Sequence, residues 1–386
     1  MGRINIGFFI DTYYPMIDGV ITVVDNYARC LSKYANVTVF APLIDKNYDD
    51  SKLPYKVVRC KSVKLGFVDY SLPEPKLDRE FLKELNNSNL DIVHIHSPFT
   101  IGKIGINYAK KHNIPVIATM HSQYKQDLKR AFKLNSLTSM GTKIIIDVFN
   151  KCDECWAVNS GIAKLYYEEY KYKIMPEVTT NATDFKRVED VDKAKKEIND
   201  IHNIGDNYKV FLFVGRINKL KNVFFIVDAL KEIKNIKYKM IFVGNGQDEE
   251  ELKKYIRNNK LEDNIIFTGK ITDKELLAKY YARADLFLFP SLYDASSIVQ
   301  IEAASQSLPV LFLENAKTSS DIKDNINGFL SKDDPKEYAK RIEEIMSDTK
   351  LYNKVSENAY KDLYVTWEDV TKKAYERYIT LIERRK

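Results

Sequence analysis

Short apolar runs alternate with amphipathic helical patterns along almost the whole chain. Residues 4–10 are typical of a buried strand, residues 20–34 carry apolar positions at helical spacing, and residues 37–40 form the next apolar run. A strand, a helix and a second strand in this order predict a parallel sheet. The N-terminal half continues with predicted strands at 91–96, 116–120 and 155–158, predicted helices at 79–85, 101–112, 125–134, 138–150 and 162–169, and a short strand or two with loops between 47 and 75.

A second alternating series begins after residues 175–189, a stretch with little periodicity that we interpret as a linker between domains. The series has predicted strands at 210–214, 240–243, 265–267, 286–289 and 310–312, and predicted helices at 191–199, 223–233, 249–259, 274–282, 298–306, 335–346, 351–362 and 367–384. One series in each half predicts an α/β protein of two lobes, with a ligand cleft where the carboxyl ends of their strands face each other.

The composition fits this architecture. A length of 386 residues suits two domains, and 45% hydrophobic with 30% charged residues is typical of a soluble globular chain. The longest apolar runs, such as residues 210–214, are far too short to span a membrane. No apolar leader follows Met1, and the Ser or Thr of a myristoylation motif is missing after Gly2. We therefore expect a cytoplasmic location.

The net charge of +6 comes from one segment, because residues 101–150 hold eight Lys and Arg against two Asp and Glu and the remaining residues are balanced. Beside an apolar stripe of Tyr124, Leu128 and Phe132 lie four basic residues, Lys125, Lys129, Arg130 and Lys133. A basic amphipathic helix can lie on an anionic membrane surface, although an ordinary solvated helix explains the pattern equally well. The basic block is short and has no accompanying nucleic-acid-binding motif, so we do not expect nucleic acid as a partner.

Cysteine usage argues against a disulfide or metal framework. The chain has four cysteines, of which Cys152 and Cys155 form a C-x-x-C. No second C-x-x-C and no His pair accompany it, so neither a redox pair nor a zinc site is predicted.

The stretch from 285 to 313 combines two acids with a strand end and a helix start. Asp294 and Glu302 follow the apolar run at 286–289, and Ser296 or Ser297 is the expected N-cap of the helix between them. Ligands of open α/β sheets bind at the carboxyl ends of strands, and a helix N-terminus suits a phosphate. Glu302 can accept hydrogen bonds from sugar or ribose hydroxyls. The alternative is an ordinary helix with solvated acids.

Two further strand ends carry candidate ligand groups. Arg216 and Lys221 follow Gly215 at the end of the strand at 210–214, and two cations beside a helix start suit a diphosphate. Gly244 and Gly246 follow the next strand and would let that loop approach a base or ribose. A solvated basic loop and a plain turn are the competing interpretations, and no dinucleotide fingerprint G-x-G-x-x-G is present.

The N-terminal half offers His121, which directly follows the strand at 116–120 and is a candidate hydrogen-bond donor or proton-transfer group. His94 and His96 alternate with Ile95 and should point the same way, with His94 packed in the core and His96 near the cleft. Gly19, in the loop after the first strand, would let the backbone come close to a ligand or to the facing domain.

Taken together, these motifs resemble the retaining glycosyltransferases of family 4, which have two Rossmann-like lobes facing across a cleft, the GT-B arrangement. FVGRINKLKN, VGNGQ and DLFLFPS followed by Asp294 and Glu302 resemble the diphosphate site, the VGxG turn and the E-x7-E motif of the family. TMHSQY and TTNATDF resemble its first-lobe His motif and its interdomain signature, and Gly19 matches the glycine of its N-terminal loop. Asp294 stands where the family usually has Glu, Ser297 where Gly is common, and Ala182 where the signature has Gly.

The resemblance implies an acceptor domain of residues 1–180, with the last helix at 366–386 packing back on it, and a donor domain of residues 181–365. It implies a nucleotide-sugar co-substrate, most simply a UDP-sugar, and no metal or other cofactor. Arg216 and Lys221 would stabilise the leaving diphosphate, and Glu302 would hold ribose hydroxyls. His121 would contact the donor-sugar region. Asp294 would hold sugar hydroxyls, together with backbone N–H groups of the loop formed by Ala295, Ser296, Ser297 and Ile298.

Two functions remain open at this point. The first is an enzyme that transfers a hexose with retention to a membrane glycolipid such as a diacylglycerol lipid, or to a cell-surface saccharide. Such an enzyme would be cytoplasmic and peripheral on the inner face of the cell membrane. The second is a GT-B binding protein that has lost turnover and serves as a partner subunit, which the altered acid Asp294 motivates.

Overall fold

The computed structural model describes residues 2–16, 18–64 and 71–385, apart from the side chain of Lys64. It divides into two compact units, Met1–Asn181 with Trp367–Lys386 and Ala182–Thr366, called here the N-terminal and C-terminal units. Part of the predicted strand-and-loop stretch at 47–75, residues 65–70, lies outside the described residues.

The N-terminal unit is built on a seven-stranded parallel sheet of order β3-β2-β1-β6-β7-β8-β9, with β4 and β5 as a separate antiparallel pair. Its strands are β1 Asn5–Phe9, β2 Asn36–Pro42, β3 Lys56–Cys60, β4 Ser62–Lys64, β5 Ser71–Pro73, β6 Ile92–Ile95, β7 Val116–Met120, β8 Glu154–Ala157 and β9 Glu177–Val178. Its helices are α1 Gly19–Leu31, α2 Arg79–Asn86, α3 Thr100–His112, α4 Tyr124–Phe132, α5 Asn135–Phe149, α6 Ser160–Lys164, a π-helical turn Leu165–Glu169, and α14 Trp367–Arg385.

The C-terminal unit has a six-stranded parallel sheet of order β12-β11-β10-β13-β14-β15. Its strands are β10 Lys209–Val214, β11 Tyr238–Val243, β12 Ile265–Gly269, β13 Leu286–Phe289, β14 Val310–Leu313 and β15 Phe329–Ser331. Its helices are α7 Val191–His202, α8 Val223–Glu232, α9 Glu249–Asn258, α10 Lys274–Arg283, α11 Ile298–Ser305, α12 Pro335–Ser347 and α13 Thr349–Leu363.

In each sheet the order in which successive strands are added reverses once. The reversal lies between β1 and β6 in the N-terminal unit and between β10 and β13 in the C-terminal unit. Crossovers on either side of such a switch point leave a crevice at the carboxyl ends of the two strands, where ligands of doubly wound sheets bind. The central strands are apolar on both faces because helices cover both sides; β6, β7, β13 and β14 are buried at every residue. The fold therefore defines one candidate ligand position in each unit.

The last helix, α14, packs in the N-terminal unit. The Arg377 guanidinium donates to Glu154 at 2.6 and 2.8 Å, and the Tyr378 ring stacks on Trp156 with centroids 5.8 Å apart. These contacts tie α14 to β8 and bring the Tyr378 hydroxyl into the buried interior of the sheet.

Some predicted elements differ from the observed ones. The predicted helix at 162–169 is α6 followed by a π-helical turn, and the helix at 191–199 extends to His202. The short strands β9 and β15 were missed, β9 falling inside the predicted linker. Two- and three-residue strands at sheet edges are too short to show a period, so hydrophobic pattern alone cannot reveal them.

Candidate functional site

The loop after β10 carries the predicted diphosphate-binding pair. Gly215 has φ +154°, a value that favours glycine, and turns the chain so that the following Arg216 is exposed. A short 3-10 turn, Lys219–Lys221, follows, and the Asn218 side chain accepts from the Lys221 N–H at 3.1 Å. This cap fixes the turn that places Lys221 just before α8.

Lys221 and Asp294 form an ion pair across the β10/β13 switch point. Both side chains are largely buried, with 19% and 15% exposure, and the Lys221 ammonium also lies 5.9 Å from the centre of the Phe289 ring. The structure therefore brings together two residues that lie 73 positions apart in the sequence. An anionic ligand entering here would meet a lysine whose charge is already matched by a carboxylate.

The loop between Asp294 and α11 leads to a helix start without a side-chain cap. Ser297 occupies the N-cap position, and its hydroxyl makes no capping hydrogen bond within the described part of the chain. Of the two serines predicted as N-cap, Ser296 is therefore excluded by position. Ile298 begins the helix, and the N–H groups of its first turn are not satisfied by the Ser297 side chain.

Glu302, on the first turns of α11, accepts a 2.7 Å hydrogen bond from the Tyr281 hydroxyl of α10. Burial raises the pKa of Glu302 to about 7, and the nearby Asp184 adds to the rise while Lys274 opposes it. Tyr281 is fully buried. Tyr281 was not predicted as a site residue, because its only signal in the sequence is its place on the apolar face of α10.

Gly244 and Gly246 have a structural reason to be glycine. A Cβ at Gly244 would lie 2.0 Å from the Gly215 carbonyl oxygen, and one at Gly246 would lie 2.1 Å from the Ile217 carbonyl oxygen. The loops after β10 and β11 are joined by bonds from the Ile217 N–H to Asn245 and from the Gly215 N–H to Val243, each 3.0 Å long. The close approach that these glycines permit is between two loops of the protein.

Gly19 is different. It is the first residue of α1, after Asp18, whose side chain caps the helix by accepting from Val20 at 2.8 Å. A Cβ built at Gly19 would have no described heavy atom within 4 Å. Packing among the described residues of the unit therefore does not require glycine here.

Three histidine rings form a buried row at the ends of β6 and β7. The His94 and His96 rings stack at 4.2 Å, which confirms that they point the same way, and His96 Nδ1 lies 3.0 Å from His121 Nε2. His94 is held by Tyr378 and Thr119 at 2.6 and 2.7 Å. Desolvation by burial lowers the pKa of His121 to about 3, and it lowers the pKa values of His94 and His96 far below the usual range. His121 is therefore neutral near pH 7 and suits hydrogen bonding better than proton uptake.

The basic segment is shorter as a helix than predicted. Lys125, Lys129 and Arg130 are exposed on α4, but the helix ends at Phe132. The prediction that Lys133 continues the helical row was wrong, because Lys133 adopts a left-handed conformation with φ 54° and caps the helix. The apolar stripe is also only partly covered, since Tyr124 is buried and Phe132 is 46% exposed.

Cys152 and Cys155 are buried and not joined in a disulfide. Within residues 2–16, 18–64 and 71–385, no group of three or more His, Cys, Asp or Glu side chains is placed to hold a metal ion. No helix in the described chain is both long and apolar enough to cross a membrane.

The strand orders and their switch points define a protein of two Rossmann-like units, and comparison with known proteins gives the family. Residues 17–187 match the family model "Glycosyltransferase Family 4", and residues 194–362 match "Glycosyl transferases group 1". The chain belongs to the family 4 glycosyltransferases of the GT-B fold.

Individual relatives agree with this assignment. The chain is 26% identical to alpha-monoglucosyldiacylglycerol synthase of Acholeplasma laidlawii over 98% of both chains. It is 28% identical to the protein of that name from Streptococcus pneumoniae, over 84% of this chain and 75% of the relative. Among solved structures, Anabaena Alr3699/HepE in complex with UDP superposes with a TM-score of 0.78 at 15% identity, covering 98% of this chain and 100% of the other.

Proposed function

We propose that the protein is a retaining hexosyltransferase that moves a hexose from a UDP-sugar to a membrane glycolipid, with diacylglycerol or a glucosylated diacylglycerol as the acceptor class. The observation that carries this proposal is the Lys221–Asp294 ion pair at the switch point of the C-terminal unit, followed in the chain by Glu302 on α11. The names of the two relatives similar over most of the chain support a lipid acceptor. UDP bound to a structural neighbour supports the nucleotide.

In this proposal the C-terminal unit binds the donor. Arg216 and Lys221 stabilise the negative charge that develops on the leaving diphosphate, aided by N–H groups at the start of α11. The residues from Ala295 to Ile298 form that helix start. Glu302 accepts hydrogen bonds from ribose hydroxyls, and Asp294 holds hydroxyls of the sugar once the diphosphate competes for Lys221. From the N-terminal unit, Gly19 leaves room for the ligand and His121 donates to the sugar.

The reaction needs no protein nucleophile. The bond between the anomeric carbon and the phosphate oxygen breaks, and the acceptor oxygen bonds to the same face of that carbon, which retains its configuration. The acceptor proton passes to the departing phosphate oxygen, so charge and atoms balance. Arg216 and Lys221 would supply the positive charge that the leaving group needs, and we propose that transfer is therefore independent of a bound metal.

The direct test is incubation with a panel of nucleotide sugars, with and without diacylglycerol vesicles. Release of UDP that depends on the lipid, an alpha-linked glycolipid product and activity that survives EDTA are the expected results. Release that depends only on a soluble saccharide acceptor would overturn the lipid assignment. A beta-linked product would overturn retention.

The alternative of an inactive partner subunit rests on Asp294, which stands where the family usually has Glu. It predicts tight binding of UDP with no turnover of any donor. The presence of Arg216, Lys221 and Glu302 together favours the enzyme. A protein that only binds a partner does not need charged groups for a leaving group.

We also propose that the α4–α5 segment contacts an anionic membrane and that the protein works at the inner face of the cell membrane. Lys125, Lys129, Arg130 and Lys133 are all exposed. Next to them Leu137, Met140 and Ile144 follow at helical spacing on α5 and are 38%, 57% and 49% exposed. Exposed apolar side chains beside a basic row are the arrangement of peripheral membrane helices.

Vesicle sedimentation tests this surface. Changing the four basic residues to Gln should weaken binding to anionic vesicles by about 10²–10³-fold, since each cation near the surface contributes about 1 kcal/mol. A matched control removes the same charge from exposed residues of the C-terminal unit: Lys193, Lys195, Lys196 and Lys254. Equal loss in both variants would mean that net charge alone, and not this segment, binds the membrane.

A further inference from the structure

We propose that His96 is a positioning residue that holds His121 in the tautomer with its proton on Nδ1, so that His121 presents an N–H donor. This rests on the proposed function for the role of the donor, but the tautomer itself is a property of the folded protein. His96 follows β6 beside the switch point of the N-terminal unit, and His121 follows the neighbouring strand β7. The pair therefore lies at the sheet edge where ligands of this topology bind.

One hydrogen bond joins the facing nitrogens of the two rings. His96 Nδ1 and His121 Nε2 are 3.0 Å apart, with ring planes 26° from parallel. A neutral imidazole has one donor nitrogen and one acceptor nitrogen, so one of these two atoms donates and the other accepts. Both rings are buried, at 1% and 8% exposure, which lowers their pKa values and keeps them neutral. Only two arrangements of protons are then open.

The surroundings of His96 select between them. Its other nitrogen, Nε2, is buried and has no hydrogen-bond partner among the residues that the structure describes. If His121 donated, His96 would carry its proton on that nitrogen and bury an unpartnered N–H. Orphaned N–H groups are rarer than under-satisfied acceptors in proteins. The favoured arrangement has His96 Nδ1 donating to His121 Nε2, so the proton of His121 is on Nδ1.

His94 does not compete for this role. Its nitrogens bond to the Tyr378 hydroxyl and the Thr119 hydroxyl, and its contact with His96 is ring stacking. Hydroxyls donate or accept, so they tolerate either tautomer of His94. His96 alone supplies a directional bond to His121 within the described chain.

The test is a ¹⁵N measurement of histidine tautomers in the full-length protein, without any substrate. The wild type should show His121 protonated on Nδ1. In His96→Asn, whose amide N–H can stand in for Nδ1–H, the tautomer should be kept. In His96→Leu it should shift toward the Nε2 form. A wild-type His121 that carries its proton on Nε2 would overturn the proposal, and so would a tautomer that His96→Leu leaves unchanged.

Activity provides the second readout. His96→Leu should lower kcat/KM by about tenfold, the value of one hydrogen-bond donor, and His96→Asn should recover most of it. Tyr378→Phe, which removes a bond of His94, is the matched control and should leave the His121 tautomer unchanged. Equal loss in the Leu and Asn variants, with melting temperatures lowered alike, would show that His96 only packs. Absence of transfer by the wild type with every donor would instead count against the proposed function, and the tautomer result would stand.

Discussion

The same topological position carries opposite chemistry in the two units. At the β10/β13 switch point Lys221 pairs with Asp294, and the helix that follows, α11, carries Glu302, whose pKa is raised by burial to about 7. At the β1/β6 switch point burial works against charge. It raises the pKa of Asp11, which accepts hydrogen bonds from Ser97 and Ile101. It lowers the pKa values of His94, His96 and His121, which are neutral near pH 7. One sheet edge is suited to a ligand with developing charge, and the other to polar, uncharged groups.

This difference would let one architecture serve two binding tasks. The strand order fixes where a ligand lies, and burial then decides which side chains there keep a charge. In the C-terminal unit, opposite charges lie close enough to stabilise each other. In the N-terminal unit, rings pack on rings, as in the 5.1 Å contact of His94 with Trp156. Within the described residues, the side-chain hydrogen bonds of these histidines go to Tyr378, to Thr119 and between His96 and His121.

The largest effect should come from Lys221→Ala. If Lys221 stabilises the leaving diphosphate, kcat should fall by about 10²–10³-fold, the usual loss for one charge-stabilising group. The matched control is Lys219→Ala, in the same 3-10 turn, whose ammonium is paired with Glu251 at 2.7 Å. Steady-state release of UDP measures both. Comparable losses in the two variants would mean that the turn, not the Lys221 charge, matters.

Glu302 gives the next largest effect and a pH dependence. A carboxyl whose pKa is raised to about 7 is ionised above that pH and gains a proton as pH falls through it. The ionised form accepts hydrogen bonds more strongly, so donor KM should rise as pH falls below about 7. Glu302→Gln should raise KM by about tenfold at high pH and remove this dependence. A wild-type KM that stays flat from about pH 8 to about pH 6 would contradict the assignment.

Substitutions of Gly246 and Gly19 distinguish a glycine required for packing from one proposed to allow ligand approach. Gly246→Ala places a Cβ 2.1 Å from a backbone oxygen, so it should destabilise the C-terminal unit by about 1–3 kcal/mol, seen as a lower melting temperature. Gly19→Ala meets no described atom and should leave the melting temperature unchanged while lowering kcat/KM. An activity of Gly19→Ala equal to wild type would remove Gly19 from the proposed site.

The smallest effect should come from Tyr378→Phe. The change deletes one hydrogen bond to His94 and keeps the stacking on Trp156, so the free energy of unfolding should fall by about 1 kcal/mol with kcat preserved. Chemical denaturation and the donor assay measure the two quantities. A large loss of kcat would show that activity is more sensitive to changes in the histidine cluster of the N-terminal unit than to changes in the charged residues of the C-terminal unit.

The sequence allowed the strands, and therefore the strand ends that carry Arg216, Lys221, Asp294 and His121, to be predicted, because buried parallel strands are short and apolar. It also predicted the common direction of His94 and His96 from simple alternation. It could not show that Lys221 meets Asp294, since the neighbours of β10 are set by how the chain crosses the sheet and not by local pattern.

Other differences have local physical causes. The reason for Gly244 and Gly246 lies in a contact between loops, which no single stretch of sequence encodes. Lys133 lies beyond the helix because the chain turns there into a left-handed cap. This conformation is common for Gly or Asn, so a lysine in the sequence does not predict it. Tyr281 can be recognised as the partner of Glu302 only in the structure, where its hydroxyl on α10 donates to that carboxylate on α11.

We propose that the carboxyl ends of the strands in the C-terminal unit bind the nucleotide diphosphate and that those in the N-terminal unit do not. Calorimetric titration of UDP into the full-length wild type, Lys221→Ala and His121→Ala tests it most directly. We expect Lys221→Ala to weaken UDP binding by about tenfold or more, because a charge-assisted bond is lost, and His121→Ala to change it less than about twofold. Equal weakening in both variants, or undiminished UDP binding in Lys221→Ala, would contradict it.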